Sequence, residues 1–153
     1  MKHQTFLDKE IGFNFITQER TITEKDLLTF YDLWEEKEDL FSNDRFAGAA
    51  DLSFKGKIVP AYYLISGMLG KLDVPSLGGG FSFNAVLLEM NNVKFLSAAY
   101  EGNKLRAKGE LLEKRTTSKG HVIAVWKWAL VNQNDQVIVT GTNIELFSKF
   151  LEY

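Results

Sequence analysis

Few side chains in this sequence can take part in covalent or metal chemistry. The 153 residues include no cysteine and only two histidines, His3 and His121. Disulfides, thiolate nucleophiles and cysteine-bound metals are therefore excluded, and a histidine-rich metal site within one chain is not expected. We expect neither a metal nor a cofactor. The carboxylates that stand out belong to the acidic run at residues 35–39, which contains Glu36 and Asp39.

A second feature that could take part in a reaction is the start of the apolar segment at residues 58–72. Pro60 has no N–H and a φ already suited to a first helical turn, so a helix is predicted to begin there. Apolar side chains then occur on every face, with Ser66 and Lys71 as exceptions, so we expect this central helix to be buried on all sides. The backbone N–H of Ala61, at the positive end of the helix, can bind a partly negative oxygen.

The composition indicates a single globular domain over residues 1–153. The net charge is −2 and Lys and Arg do not cluster, which argues against nucleic acid or an anionic membrane as the partner. The apolar segment is too short to span a bilayer and the N-terminus has no signal region, so we expect a cytoplasmic protein. Twelve Phe, five Tyr and three Trp predict an aromatic-rich core with rings available for a pocket or an interface.

Local patterns in the first half predict the elements around the acidic run. Thr23 is a good N-cap, and acidic residues followed by an apolar stripe predict an amphipathic helix over residues 23–34. A short second helix is predicted over residues 44–50, followed by a loop over residues 51–57. The Gly- and Pro-containing segment 74–80 is predicted to be a flexible connection, because it lacks the Lys-Ser/Thr of a phosphate-binding loop.

Strand patterns dominate the second half of the chain. Strands are predicted at residues 84–97, 104–116, 121–131 and 136–147, after one early strand that contains Phe13 and Phe15. The pair Asn91-Asn92 predicts a bulge or bend. Residues 121–131 are apolar on both faces except at Lys127, which indicates a central strand buried on both sides. A buried helix followed by an antiparallel meander predicts an α+β protein whose sheet wraps around the helix.

Several motifs occur in a recognisable order along the chain. They are Arg20–Asp26 (RTITEKD), Phe54–Ala61 (FKGKIVPA), Asn92–Leu96 (NVKFL), Tyr100–Leu105 (YEGNKL), Glu113–Arg115 (EKR) and Val131–Ile138 (VNQNDQVI). Together they resemble the MaoC-like hot-dog family over roughly residues 6–147. The resemblance implies a long central helix wrapped by a curved antiparallel sheet. It also implies a homodimer, or a heterodimer with another hot-dog subunit.

The same resemblance implies a substrate class and a reaction. The substrates are acyl thioesters of coenzyme A or acyl carrier protein, and the reaction is (R)-specific hydration of a 2-enoyl thioester or its reverse. Hydration needs an acid, a base and donors for the thioester oxygen. The family places an aspartate and, five residues later, a histidine after the first helix. In this chain Glu36 takes the first position and Phe41 the second, and Pro60-Ala61 replaces the usual His-Gly.

The candidate site residues follow from this alignment. Glu36 and Asp39 are the candidate catalytic carboxylates, although Glu36 also fits a solvated helix end. Candidate substrate-binding residues are Phe41, Phe54, Gly56, Pro60, Ala61 and Tyr62. Tyr62 and Tyr63 are expected to be buried, with hydroxyls bonded to the backbone. Trp126 and Trp128 share one strand face and are expected in the core or a dimer interface.

Three functions remain open at this point. The first is a divergent hydratase or dehydratase in which Glu36 acts with water or another group. The second is a non-catalytic subunit that binds acyl chains or pairs with an active homologue, and the missing histidine favours it. The third is a thioesterase that uses Glu36 or Asp39 together with the Ala61 N–H.

Overall fold

A computed structural model describes residues 9–35, 54–68, 73–74, 79–80 and 85–148. The strands are β1 (Asn14–Ile16), β2 (Arg20–Thr21), β3 (Asp73–Val74), β4 (Gly79–Gly80), β5 (Ala85–Phe95), β6 (Lys104–Thr116), β7 (Val122–Val131) and β8 (Val137–Phe147). Helix α1 spans Glu24–Trp34, and the described part of the central helix spans residues 61–68. The helix predicted at residues 44–50 lies outside the described residues.

One antiparallel sheet of six strands carries most of the structure. Its order is β1-β6-β7-β8-β5, with β2 also pairing with β6. The four long strands agree with their predicted ranges to within two residues at each end. The central position predicted for residues 121–131 is confirmed, since β7 lies between β6 and β8.

Helix α1 begins with the predicted cap. The Asp26 N–H donates to the Thr23 hydroxyl (3.2 Å), and the Asp26 carboxylate accepts a hydrogen bond from the Thr23 N–H (3.3 Å). This reciprocal capping box satisfies two backbone donors that the helix itself leaves without partners. The helix ends at Glu35, whose left-handed conformation (φ 51°) lets its N–H bond the Tyr31 carbonyl. Thr23 and the apolar stripe therefore predict this helix correctly.

The central helix departs from the predicted regular, fully buried helix. Residues 61 and 62 are α-helical, but Tyr63–Met68 form a π-helix. The Ser66 hydroxyl donates to the Tyr62 carbonyl (2.6 Å) and competes there with the ordinary backbone ladder. Burial is also one-sided, because Tyr63 and Leu64 are buried whereas Tyr62 is 70% exposed. The expectation that Tyr62 would be buried was wrong.

Three further sequence predictions can be compared with the sheet. The bulge at Asn91-Asn92 is confirmed, because the β5–β8 register shifts between Asn91 and Lys94 and Asn92 has a φ of 53°. Strand β7 is buried on both sides only in part, since its outward-facing Lys127 is exposed and its neighbours on that face are half-buried. The predicted connection 74–80 contributes to a short antiparallel pair, β3 with β4.

The inner face of the sheet, the one that meets the central helix, alternates rings with glycines. Phe15, Gly109, Trp128 and Gly141 are direct partners across β1, β6, β7 and β8. The Phe15 ring lies where a Cβ of Gly109 would be, and the Trp128 ring lies where a Cβ of Gly141 would be. Phe15 also packs edge-on against Trp126 with a centroid distance of 5.7 Å. The two glycines therefore make room for two rings that are themselves buried.

This packing predicts that Gly141→Ala destabilises the protein, although alanine is otherwise the better strand residue. The new methyl group would overlap the Trp128 indole, and overpacking of this kind costs about 1–3 kcal/mol. In a Trp128→Phe background the shorter ring leaves space, so the same substitution should cost much less. Urea unfolding of the two single variants and the double variant measures this coupling. Equal costs in both backgrounds would contradict the proposed overlap.

Candidate functional site

The start of the central helix is fixed by the chain that follows β5. The Val59 N–H donates to the Ala99 carbonyl (2.8 Å), and Ile58 forms a β-bridge with Tyr100. The Lys55 N–H donates to the Tyr100 hydroxyl (3.1 Å). These contacts hold segment 54–60 against residues 97–100 and so determine where the first helical turn begins.

An apolar pocket of about 340 Å³ lies beside this first turn. Its lining consists of Phe54, Ile58, Val59, Ala61, Leu64 and residues 95–99. The volume is at the lower end of the range of about 300–1,000 Å³ that is usual for ligand pockets. Its apolar wall meets the positive end of a helix, where N–H groups have no partner within the helix.

The structure brings two of the predicted substrate-binding residues, Phe54 and Ala61, together in this pocket. Gly56 and Pro60 lie in the segment that carries them, and Gly56 has a φ of 152°. Tyr62 does not line the pocket. One residue along an α-helix turns the side chain by about 100°, so Ala61 and Leu64 share a face that Tyr62 leaves.

The remaining predicted site residues cannot be placed relative to the pocket. Glu36, Asp39 and Phe41 lie outside the described residues. Within the described part of the chain, no group of three or more His, Asp or Glu side chains could hold a metal ion. In the same part, no helix is long and apolar enough to cross a membrane.

Several lining residues were not identified from the sequence. Phe95 and Leu96 are 47% and 58% exposed at the pocket, an unusual degree for large apolar side chains. Leu64 follows Ala61 by three residues, and that spacing alone would have placed both on one helical face. The sequence around residues 95–99 does not predict that they line the pocket, because their position depends on the pairing of Val59 with Ala99.

A polar cluster is buried on the inner face of the sheet, away from the pocket lining. The Trp128 indole N–H donates to the Asn143 side-chain oxygen (2.8 Å), and the Asn143 amide donates to the Glu145 carboxyl (3.3 Å). Glu145 is only 8% exposed. Burial raises the pKa of Glu145 above its usual value, although hydrogen bonds from Asn143 and Trp126 act in the opposite direction. The cluster can hold a proton inside the core.

Comparisons with known proteins were made on this structure and its sequence. No family model and no curated protein matches the chain. A putative MaoC domain dehydratase from Chloroflexus aurantiacus superimposes with a TM-score of 0.82 at 21% identity, over 97% of this chain and 41% of that one. The (R)-hydratase of A. caviae involved in PHA biosynthesis gives 0.66 at 22% identity, over 90% of this chain and 96% of that one.

The description of a third similar structure names the fold of that protein. It is a conserved hypothetical protein from Mycobacterium tuberculosis with a double hot-dog fold, matched with a TM-score of 0.80 at 12% identity. The match covers 99% of this chain and 47% of that one. The chain has the hot-dog fold of the MaoC-like proteins. The fold expected from the motifs is thereby confirmed, with β5–β8 as the long strands of the hot-dog sheet.

Within the hot-dog sheet, Glu145 predicts a specific dependence of stability on pH. A carboxyl group whose pKa is raised on folding stabilises the folded protein fully at pH values below its unfolded-state pKa of 4.5. This stabilisation is lost as the pH rises through the pKa of the folded state. Glu145→Gln should remove this loss, so its stability relative to the unchanged protein should increase from pH 4 to pH 8.

Chemical denaturation over that pH range measures the effect. Glu89→Gln is the matched control, because Glu89 is exposed on β5. Parallel pH profiles for Glu145→Gln and the unchanged protein would show that the carboxyl is not held protonated by burial.

Proposed function

We propose that this hot-dog protein binds acyl thioesters of coenzyme A or acyl carrier protein. The observation that carries the proposal is the apolar pocket at the first turn of the central helix, which Phe54 and Ala61 line together. The acyl chain occupies this pocket, which we therefore call the acyl pocket, and the thioester carbonyl lies at the Ala61 N–H. Similarity to an (R)-hydratase and to a putative MaoC domain dehydratase supports this substrate class.

The two ends of the proposed site act on different parts of the ligand. Each methylene group transferred from water to an apolar wall contributes about 0.8 kcal/mol, so chain length determines most of the affinity. The N–H at the helix start stabilises the carbonyl oxygen, on which negative charge develops during addition or hydrolysis. Binding and oxyanion stabilisation therefore need no side chain beyond those that line the pocket.

For turnover we propose a divergent hydro-lyase in which Glu36 acts with water or another group, and Asp39 is the second candidate carboxylate. Phe41 at the position of the family's histidine favours a second candidate, a non-catalytic subunit that binds the thioester and pairs with an active hot-dog homologue. Phenylalanine cannot transfer a proton, so half of the usual acid–base pair is absent. Thioester hydrolysis by Glu36 or Asp39 with the Ala61 N–H is the remaining alternative.

The binding proposal predicts a loss that depends on chain length in Leu96→Ser. Leu96 is exposed at the pocket, so this variant should fold, but it removes apolar wall that a long chain contacts. We expect the affinity for a long-chain acyl thioester to fall roughly tenfold while that for an acetyl thioester hardly changes. Isothermal titration measures both. Leu112→Ser, a partly exposed leucine on β6 outside the pocket, is the control.

Mass spectrometry of the same binding reactions distinguishes the three candidate activities. Saturated, 2-enoyl and 3-hydroxyacyl thioesters are incubated with the protein, and gain or loss of one water identifies a hydro-lyase. Free thiol carrier identifies a thioesterase, and binding without turnover favours the non-catalytic subunit. Glu36→Ala should abolish hydro-lyase activity, and it should abolish thioester hydrolysis if Glu36 rather than Asp39 is the carboxylate used. Unchanged turnover in this variant would remove Glu36 from the mechanism.

We further propose that a second hot-dog unit, either another copy or a homologue, covers the β5 edge. Strand β5 lies at one end of the sheet, and its residues Val86, Leu87 and Leu88 are 58%, 49% and 51% exposed. An exposed apolar edge strand is a template for pairing with another strand. The chain also matches about half of a protein described as a double hot-dog, in agreement with a paired arrangement.

Pairing at β5 predicts that Leu88→Lys converts a dimer to a monomer. A charge on the edge opposes strand pairing and removes part of the apolar contact. Sedimentation velocity at micromolar concentration measures the state. Ile11→Lys introduces the same charge at an exposed apolar residue next to β1, at the opposite side of the sheet, and should leave the dimer intact. A monomeric unchanged protein would count against self-association.

A further inference from the structure

A second cavity, of about 710 Å³, lies on the other side of the central helix, between that helix and α1. We call it the α1 cleft. Residues from both helices and from β2 line it, among them Arg20, Lys25, Trp34, Tyr63 and Ser66. Among the described residues, none lines both the cleft and the acyl pocket. The cleft is therefore a separate concave surface.

One wall of the α1 cleft is aromatic. Phe30 and Trp34 stack with a centroid distance of 5.6 Å and an interplanar angle of 25°. Tyr62 continues the stack on Trp34 at 6.3 Å and 5°. Trp34 and Tyr62 are 56% and 70% exposed, so this nearly parallel series of rings ends at the protein surface. Such a wall suits a flat, conjugated ring system.

The α1 cleft also contains donors for which the described residues provide no acceptor. Arg20 and Lys25 form no ion pair with any described residue. The Tyr63 hydroxyl is buried without a hydrogen-bond partner in the same part of the chain, and Tyr63 as a whole is 2% exposed. Leaving such a group unsatisfied is costly, so it indicates that a partner is missing.

Three hydroxyl groups of the described lining already donate hydrogen bonds. Thr23 donates to the Asp26 carboxylate (2.7 Å), Thr29 to the Lys25 carbonyl (2.8 Å) and Ser66 to the Tyr62 carbonyl (2.6 Å). The Asp26 carboxylate, the one acidic group of the described lining, is held in the α1 cap. With two cations and one carboxylate, the described lining has a net charge of +1 and retains unused donors.

We infer that the α1 cleft is a second ligand site, which binds a planar aromatic monocarboxylate. The ring lies against Trp34, and the carboxylate accepts hydrogen bonds from the Tyr63 hydroxyl and the Arg20 guanidinium. The site is distinct from the acyl pocket, because the two cavities share no described lining residue.

The Tyr63 hydroxyl acts only as a neutral donor in this site. Burial, followed by the charge of Asp26, raises the pKa of Tyr63 to about 12, although Arg20 acts in the opposite direction. The phenol thus remains protonated over the range in which a carboxylate ligand is ionised. Arg20 and Tyr63 both line the cleft.

The test uses 2-naphthoate, its saturated counterpart decahydro-2-naphthoate and the uncharged 2-naphthamide, measured by isothermal titration with the full chain. We expect 2-naphthoate to bind at least roughly tenfold more tightly than either analogue, because only it provides both the flat ring and the charged acceptor. Equal binding of the three compounds, or no binding, would overturn the inference.

Variants separate this site from a non-specific surface. Tyr63→Phe, Arg20→Gln and Trp34→Leu should each weaken 2-naphthoate binding several-fold. Lys127→Gln, on the outer face of β7, and Leu96→Ser, in the acyl pocket, should leave it unchanged. Loss of binding in Leu96→Ser with unchanged binding in Tyr63→Phe would place the compound in the acyl pocket and reject the α1 cleft.

Tyr63→Phe also has a signature that a purely structural role would not produce. The variant removes a buried hydroxyl without a partner, so the free protein should melt at the same or a higher temperature. The same variant should lose affinity and lose the thermal shift that 2-naphthoate causes. A variant that is less stable but binds 2-naphthoate as tightly as the unchanged protein would show that the hydroxyl stabilises the fold and does not contact the ligand.

Discussion

The row Phe15, Gly109, Trp128 and Gly141 is the packing constraint on which the rest of the structure depends. These four residues are neighbours across β1, β6, β7 and β8, and each ring lies over the glycine beside it. Alternating large and small residues lets the rings interdigitate at the density of a protein interior. A methyl group at either glycine would overlap a buried ring. The close packing of β1, β6, β7 and β8 on the inner face therefore depends on two residues that have no side chain.

The sequence predicted what local rules determine. Thr23 and Asp26 predicted the start of α1, alternation predicted the long strands, and the asparagine pair predicted the distortion of β5. The π-helix could not be predicted in this way, because the hydrogen bond from Ser66 to the Tyr62 carbonyl also has a counterpart in the regular helix α1, from Thr29 to the Lys25 carbonyl. Tyr62 is exposed because the helix packs on one side only. A sequence that is apolar on every face does not predict which side that is. The MaoC-like motifs identified the fold correctly at identities below 25%.

The candidate site was predictable only in its first turn. Phe54 and Ala61 belong to a motif that can be read along the chain, and both line the acyl pocket. The far wall comes from residues 95–99, which reach the helix because Val59 pairs with Ala99 across forty residues of sequence. Glu145 could not be predicted for a different reason. Alternation in β8 places it on the inner face with Asn143, but a carboxylate there contradicts the usual apolar pattern, and only the buried amide and indole partners explain it.

The central helix separates two chemically different cavities. On one side Ala61 and Leu64 present apolar surface to the acyl pocket, and on the other Tyr63 and Ser66 present polar atoms to the α1 cleft. The hydrogen bond from Ser66 to the Tyr62 carbonyl does not require the π-helix, since Thr29 makes the same bond to the Lys25 carbonyl within the regular helix α1. The polarity of each cavity therefore follows from which side chains the short sequence Ala61–Ser66 places on each side of the helix.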